Sequence, residues 1–128
     1  MKPHDSLLRL RQFEVEERQQ KVRDLESMID EFRHMVLDLD HQIEAEEARS
    51  GVADKDHYSY SPFAKASLLR RDNLIASITD LEAKVIDAHE DLSVAVDELN
   101  NVEMLTERSQ GRAPQRDAGA TNILAGSW

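Results

Sequence analysis

The chain has 128 residues, of which 33% are charged and 5% aromatic, and its formal net charge is −10. Few large apolar side chains argue against a deep globular core, and the acidic balance argues against nucleic-acid binding, which needs clustered Lys and Arg. The chain contains no cysteine, which excludes disulfides and thiolate metal sites.

No segment approaches the roughly 20 consecutive apolar residues that a membrane span requires. The first residues lead into a heptad pattern and not into an apolar signal segment. We therefore predict a soluble, cytoplasmic protein without direct membrane insertion.

The first half of the chain carries a heptad repeat of apolar residues. Position a is occupied by Leu8, Val15, Val22, Ile29, Val36 and Ile43. Position d, three residues later, is occupied by Arg11, Arg18, Leu25, Phe32, Leu39 and Glu46. Such an a/d stripe, here called the seam, packs against another helix. The pattern predicts a helix over 6–50, with Asp5 or Ser6 as its N-cap and Gly51 at its end.

A second helix follows a connection at 51–61. Ser61 and Pro62 form an N-cap and first-turn pair, so we predict this helix over 62–108. Its heptads place Arg71, Ile78, Val85, Leu92 and Leu99 with Leu74, Leu81, Ala88, Ala95 and Val102. The fold class is therefore all-α, a long antiparallel two-helix coiled-coil hairpin over 1–108. Residues 109–128 contain Gly and Pro and few apolar side chains, and we expect a disordered C-terminal tail.

The seam also suggests a register between the helices. One register places Phe32 opposite Val85 and Glu46 opposite Arg71, so that the charged layer near the connection is a paired one. A shift by one heptad places Leu39 opposite Arg71 and desolvates part of a guanidinium without a partner. We therefore expect the first register.

Charge favours the antiparallel arrangement as well. The start of the first helix is rich in Lys and Arg. From 87 to 107 the second helix carries seven acids and no Lys or Arg, namely Asp87, Glu90, Asp91, Asp97, Glu98, Glu103 and Glu107. An antiparallel hairpin places these opposite charges side by side.

The sequence shows no arrangement of residues that favours catalysis or the binding of a cofactor. The four glycines form no phosphate-binding motif, and a two-helix hairpin offers no cleft for a catalytic triad. His34, Asp38 and His41 share one helix face and could be imagined around a metal, but a solvated polar face is the favoured interpretation. We predict no enzyme activity, no metal and no cofactor.

The connection carries the sharper functional signal. Tyr58, Tyr60 and Phe63 lie within six positions, and Arg70, Arg71 and Asn73 follow. Aromatic and Arg side chains dominate protein interfaces. These residues are candidate partner contacts, although the aromatics would equally serve to cap the end of the hairpin.

Three segments resemble the bacterial flagellar export protein FliJ, in the form found in alphaproteobacteria. They are Asp-Ser-Leu-Leu-Arg-Leu-Arg-Gln-Phe-Glu-Val-Glu-Glu-Arg at the start, Glu-Ala-Glu-Glu-Ala-Arg-Ser-Gly-Val in the middle, and Tyr-Ser-Tyr-Ser-Pro-Phe-Ala-Lys-Ala with Arg-Arg-Asp-Asn-Leu-Ile-Ala-Ser-Ile. The likeness covers about 5–108, and the last segment is its most specific part.

The resemblance implies a stalk component of the flagellar type III export apparatus, at the inner-membrane base of the flagellum. It implies that the end with both termini enters and promotes the hexameric export ATPase, which makes Leu8, Arg11 and Arg18 candidate contacts. It further implies contacts with the membrane-embedded export gate and with export chaperones. The family pattern continues a charged helix past Arg108, whereas Gly111 and Pro114 interrupt it here.

Two other functions fit the same pattern. One is a generic coiled-coil adaptor or holdase, and the other is the equivalent stalk of a virulence type III secretion system. A hairpin buries its own seam, so the stalk interpretation predicts a monomer when free, whereas an adaptor helix would need a second chain.

Overall fold

The computed structural model describes residues 3–109, which form two helices packed against each other. Helix α1 comprises Pro3–Ser50 and helix α2 comprises Pro62–Ser109, with 48 residues in each. No strand occurs within these described residues. The predicted all-α helical hairpin is therefore confirmed, while the predicted disorder of the tail concerns residues outside the described range.

Helix α1 begins earlier than predicted. Its first residue is Pro3, so Asp5 and Ser6 lie inside the helix and the predicted N-cap is wrong. Proline is favoured at the first helical position, and the Asp5 carboxylate in the first turn suits the positive end of the helix dipole. The other end agrees with the prediction. Gly51 adopts a φ of 76° and donates its N–H to the Glu47 carbonyl at 2.9 Å, which ends the helix.

Helix α2 begins with the predicted cap. The Ser61 hydroxyl accepts a 3.2 Å hydrogen bond from the N–H of Ala64, and Pro62 occupies the first helical position. This cap satisfies one of the backbone donors that the first turn leaves without a carbonyl partner.

The chain divides into two compact units. Within the described residues, the terminal unit contains 3–19 and 90–109, and the loop unit contains 20–89. In the loop unit, Arg33 bonds to Glu82 at 2.9 Å and Asp40 accepts from Arg71 at 2.5 Å. From the first pair to the second, the residue number rises in α1 and falls in α2, so the helices of this unit run antiparallel. In the terminal unit, Arg11 and Glu98 join the two helices at 3.7 Å.

The predicted seam residues all lie inward. Ten are buried, namely Val15, Val22, Leu25, Ile29, Leu39, Ile43, Leu81, Ala88, Ala95 and Val102. Twelve are half-buried, namely Leu8, Arg11, Arg18, Phe32, Val36, Glu46, Arg71, Leu74, Ile78, Val85, Leu92 and Leu99. Two helices alone cannot enclose every seam residue, so each unit has a narrow core along the helix contact.

The register differs from the prediction. Arg71 bonds to Asp40 and not to Glu46, whose carboxylate is taken by Ser61 and Arg49. Helix α2 begins beside Glu46 of α1. Arg71 lies about three turns farther along α2, which places it beside Leu39 of α1. The helices therefore adopt the register one heptad away. The expected cost of an unpaired guanidinium does not arise, because Asp40, next to the seam, supplies the partner.

Candidate docking surfaces

The tip, here defined as residues 51–63, consists of ordered turns followed by the first two residues of α2. The N–H of His57 donates to the Asp54 carbonyl at 3.1 Å, and the N–H of Tyr60 donates to the His57 carbonyl at 3.0 Å. The Asp54 carboxylate also accepts from the N–H of Asp56 at 3.0 Å. These local bonds hold the aromatic residues of the tip in defined positions.

Tyr60 closes the tip from the inside. Its side chain is 6% exposed, and its hydroxyl donates a 2.7 Å hydrogen bond to Glu47 Oε2. This bond is the main reason that the pKa of Tyr60 is raised to about 12, with burial as the second cause. A phenolate would lose the bond and face a carboxylate. Tyr60, predicted as a candidate partner contact, thus takes the capping role among the tip aromatics.

Glu46 anchors the start of α2 from the last turns of α1. Its carboxylate accepts bonds from Arg49 at 2.8 and 2.7 Å and from the Ser61 hydroxyl at 2.5 Å. The Arg49 bonds are the largest cause, and the Ser61 bond the second, of a pKa lowered to about 2. Sequence reasoning missed this cluster. The available signal was a carboxylate at a seam position, which needs a donor close by.

Tyr58 and Phe63 face solvent at the tip. Tyr58 is 94% exposed and stacks on His57 with ring centroids 4.6 Å apart, while Phe63 is 54% exposed. The His57 ring is held in turn, because its Nδ1 accepts the N–H of Ser59 at 2.9 Å. Exposed aromatic rings on an ordered turn are a typical protein-binding feature. We call His57, Tyr58 and Phe63 the tip surface.

The first turns of α2 divide into structural and accessible residues. Arg71 is engaged with Asp40 and, at 3.2 Å, with Asp72. Arg70 and Asn73 are exposed and have no side-chain hydrogen bond or ion pair with another described residue. Of the three predicted contacts, Arg70 and Asn73 are available to a partner, whereas Arg71 joins the two helices.

In the terminal unit, the candidate residues of α1 are half-buried. Arg11 bonds to Glu14 at 2.9 Å, and this bond is the main cause of a raised Arg11 pKa. Its buried Nε has no hydrogen-bond partner among the described residues. Arg18 pairs with Glu17 at 2.5 Å, and Leu8 packs at the seam position of the first turns. Both arginines are thus neutralised mainly within their own helix.

The predicted pairing of opposite charges between the helices is sparse as a result. Within 90–109, Glu98 is the one acid with an ion pair, to Arg11. In the loop unit, His89 approaches Glu26 at 4.0 Å. Sequence reasoning also missed three exposed apolar residues among the unpaired acids, namely Val94, Met104 and Leu105. They lie outside the a/d positions. An apolar side chain at such a position in a charged helix is a signal that the sequence alone offers.

The described residues contain no group of three or more side chains suited to a metal ion. His34 lies on the exposed face of α1, with its Nδ1 bonded to the Asp30 carbonyl at 2.8 Å. Neither α1 nor α2 contains an apolar stretch of the length needed to cross a membrane.

Comparisons of the chain with protein-family models, with curated proteins and with solved structures give no match.

Proposed function

We propose that this chain is a noncatalytic stalk component of the bacterial flagellar type III protein export apparatus. It inserts into the hexameric export ATPase, promotes the activity of that enzyme and links it to the export gate in the inner membrane. The observation that carries the proposal is the form of the tip. The residues most specific to the resemblance lie in and just after an ordered turn, and Tyr58 and Phe63 among them are exposed.

The terminal unit is the ATPase-facing end in this proposal. Leu8, Arg11 and Arg18 lie there, and α2 remains helical to Ser109, before the first of the two helix-breaking residues in the tail. The tip then contacts a component farther along the apparatus. The chain works in the cytoplasm, peripherally associated with the membrane at the flagellar base, and also contacts export chaperones.

The test is a strain that lacks this gene, with the same gene restored from a plasmid as the control. Loss of swimming together with loss of secreted hook and filament proteins, both recovered on restoration, is the expected result. Normal swimming and normal secretion would overturn the proposal. Normal swimming with lost secretion of virulence effectors would instead assign the chain to the related virulence system.

A generic adaptor is the second candidate, and the apolar residues outside the seam favour it. Leu37, Leu69 and Ile86 are 55%, 64% and 64% exposed, respectively, and a second chain packed against the helices would cover them. The mass of the free chain in solution separates the two functions in part. A monomer is expected for the stalk, and a stable dimer that forms at low concentration would favour the adaptor.

A further inference from the structure

The outer face of α2 in the terminal unit has an unusual composition. Following this face turn by turn gives an acidic pair at 90–91, Val94, an acidic pair at 97–98, Asn101 and an apolar pair at 104–105. Residues at these spacings of three and four lie on one side of an α-helix. We call this set the α2 outer face.

The apolar members of the α2 outer face are accessible. Val94 is 58% exposed, Met104 is 45% exposed and Leu105 is 47% exposed. Met104 and Leu105 are adjacent, and Val94 lies about three turns earlier on the same side of the helix. None of these three residues belongs to the seam. Packing against α1 therefore does not explain why they are apolar.

Of the acidic members, Glu98 pairs with Arg11, and the other three have no ion-pair partner among the described residues. These three, Glu90, Asp91 and Asp97, are exposed. The α1 residues that could have neutralised them are otherwise engaged, because Arg11 bonds mainly to Glu14 and Arg18 bonds to Glu17. The α2 outer face therefore combines unpaired negative charge with exposed apolar anchors.

We propose that the α2 outer face is a docking surface for a positively charged protein groove with apolar pockets. The acids would pair with Lys and Arg on the rim of the groove, while Val94, Met104 and Leu105 would fill its pockets. This inference rests on the proposed function in one respect, since it takes the export ATPase as the protein that bears the groove.

The charge component is tested by neutralisation. The full chain carrying Glu90→Gln, Asp91→Asn and Asp97→Asn is titrated against the purified export ATPase hexamer at low and high salt. Its matched control carries Glu31→Gln, Asp38→Asn and Glu44→Gln, three exposed acids of α1 that likewise form no ion pair within 3–109. We expect the first variant to bind about tenfold more weakly at low salt and to lose most of its salt dependence. The control should bind like the unmodified chain.

The apolar component is tested with Met104→Ser combined with Leu105→Ser, and with Leu37→Ser as the exposed control. The paired substitution should weaken binding about tenfold at both salt concentrations, since apolar contacts are not screened. Circular dichroism of each variant should show unchanged helicity, because all of these side chains are exposed.

The outcomes separate this inference from the proposed function. If the unmodified chain binds the ATPase and both α2 variants bind equally well, this inference is overturned while the proposed function stands. If the unmodified chain does not bind the ATPase at all, the proposed function fails, and this inference fails with it.

Discussion

The hydroxyl of Tyr60 donates a 2.7 Å hydrogen bond to the carboxylate of Glu47, 13 residues earlier in the chain. Together with the bond from Ser61 to Glu46, it joins the last turns of α1 to the first turn of α2. The two bonds set where α2 begins, and hence which residues of the loop unit face each other.

Tyr60→Phe removes this hydrogen bond while keeping the ring. The bond raises the Tyr60 pKa from 10.0 to about 12, so its stabilising effect is complete below pH 10 and is lost as the pH rises towards 12. We expect a lower thermal midpoint for the variant at neutral pH and convergence with the unmodified chain near pH 12. Thermal unfolding followed by circular dichroism from pH 8 to 12 measures this. A midpoint difference that stays constant across that range would contradict the assigned role.

Glu46→Gln tests how the thermal stability depends on pH in the acidic range. The Glu46 pKa is lowered from 4.5 to about 2, so its contribution is present above pH 4.5 and is lost as the pH falls towards 2. We expect the unmodified chain to lose thermal stability over that interval more steeply than the variant does. The exposed Glu44→Gln serves as the control and should keep the steep dependence. Parallel curves for all three proteins would show that Glu46 does not anchor α2.

The register can be tested with introduced cysteines, because the chain has none of its own. Leu39→Cys with Arg71→Cys places two thiols opposite each other in the observed register. Glu46→Cys with Arg71→Cys would do so in the register predicted from the seam. Mild oxidation should close an internal disulfide in the first pair and leave the second reduced. Thiol titration under denaturing conditions distinguishes the two, and the reverse pattern would restore the predicted register.

Ile29→Asp places a charge in the core of the loop unit. Ile29 is 5% exposed, so we expect a loss of about 4 kcal/mol or more from missing apolar contacts and a buried carboxylate. The neighbouring Met28 is 41% exposed, and Met28→Asp should change stability by about 0.5 kcal/mol or less. Urea denaturation of both variants provides the comparison. Similar midpoints would mean that Ile29 does not lie in the core.

Tyr58→Ala with Phe63→Ala removes the exposed rings of the tip surface. Both side chains face solvent, so helicity and thermal midpoint should stay close to those of the unmodified chain. Binding to the purified cytoplasmic domain of the export gate protein should weaken about tenfold, as expected for exposed aromatic anchors. His41→Ala, another exposed position, is the matched control. Unchanged binding by the double variant would remove the tip surface from the proposed function.

The sequence predicts the helices and their inward faces well, because both depend on local rules. Gly51 and Ser61 end and begin helices through backbone preferences that neighbouring residues determine. The register between the two helices does not depend on such local rules. A shift by one heptad keeps every a and d residue in the seam, so the seam alone does not choose. Asp40, outside the seam, and the Ser61–Glu46 bond make the choice, and neither follows a repeat.

The candidate surfaces were predictable only in part. Tyr58 and Tyr60 are two residues apart in an irregular turn, where no periodicity says which ring points inward. The charge prediction overlooked the fact that Arg11 and Arg18 have acids one to three residues away. An ion pair within one helix forms at lower entropic cost than a pair between helices, so the nearer acids took the arginines.

The half-buried Arg11 in the seam has a consequence for local unfolding. A guanidinium with one unsatisfied buried nitrogen adds little to the contact between α1 and α2 in the terminal unit. Amide groups of this unit should therefore open to solvent in small fluctuations that leave the rest of the chain folded. The two helices would then separate at low free-energy cost at the end that the proposed function assigns to a pore, where a partner could supply the missing contacts.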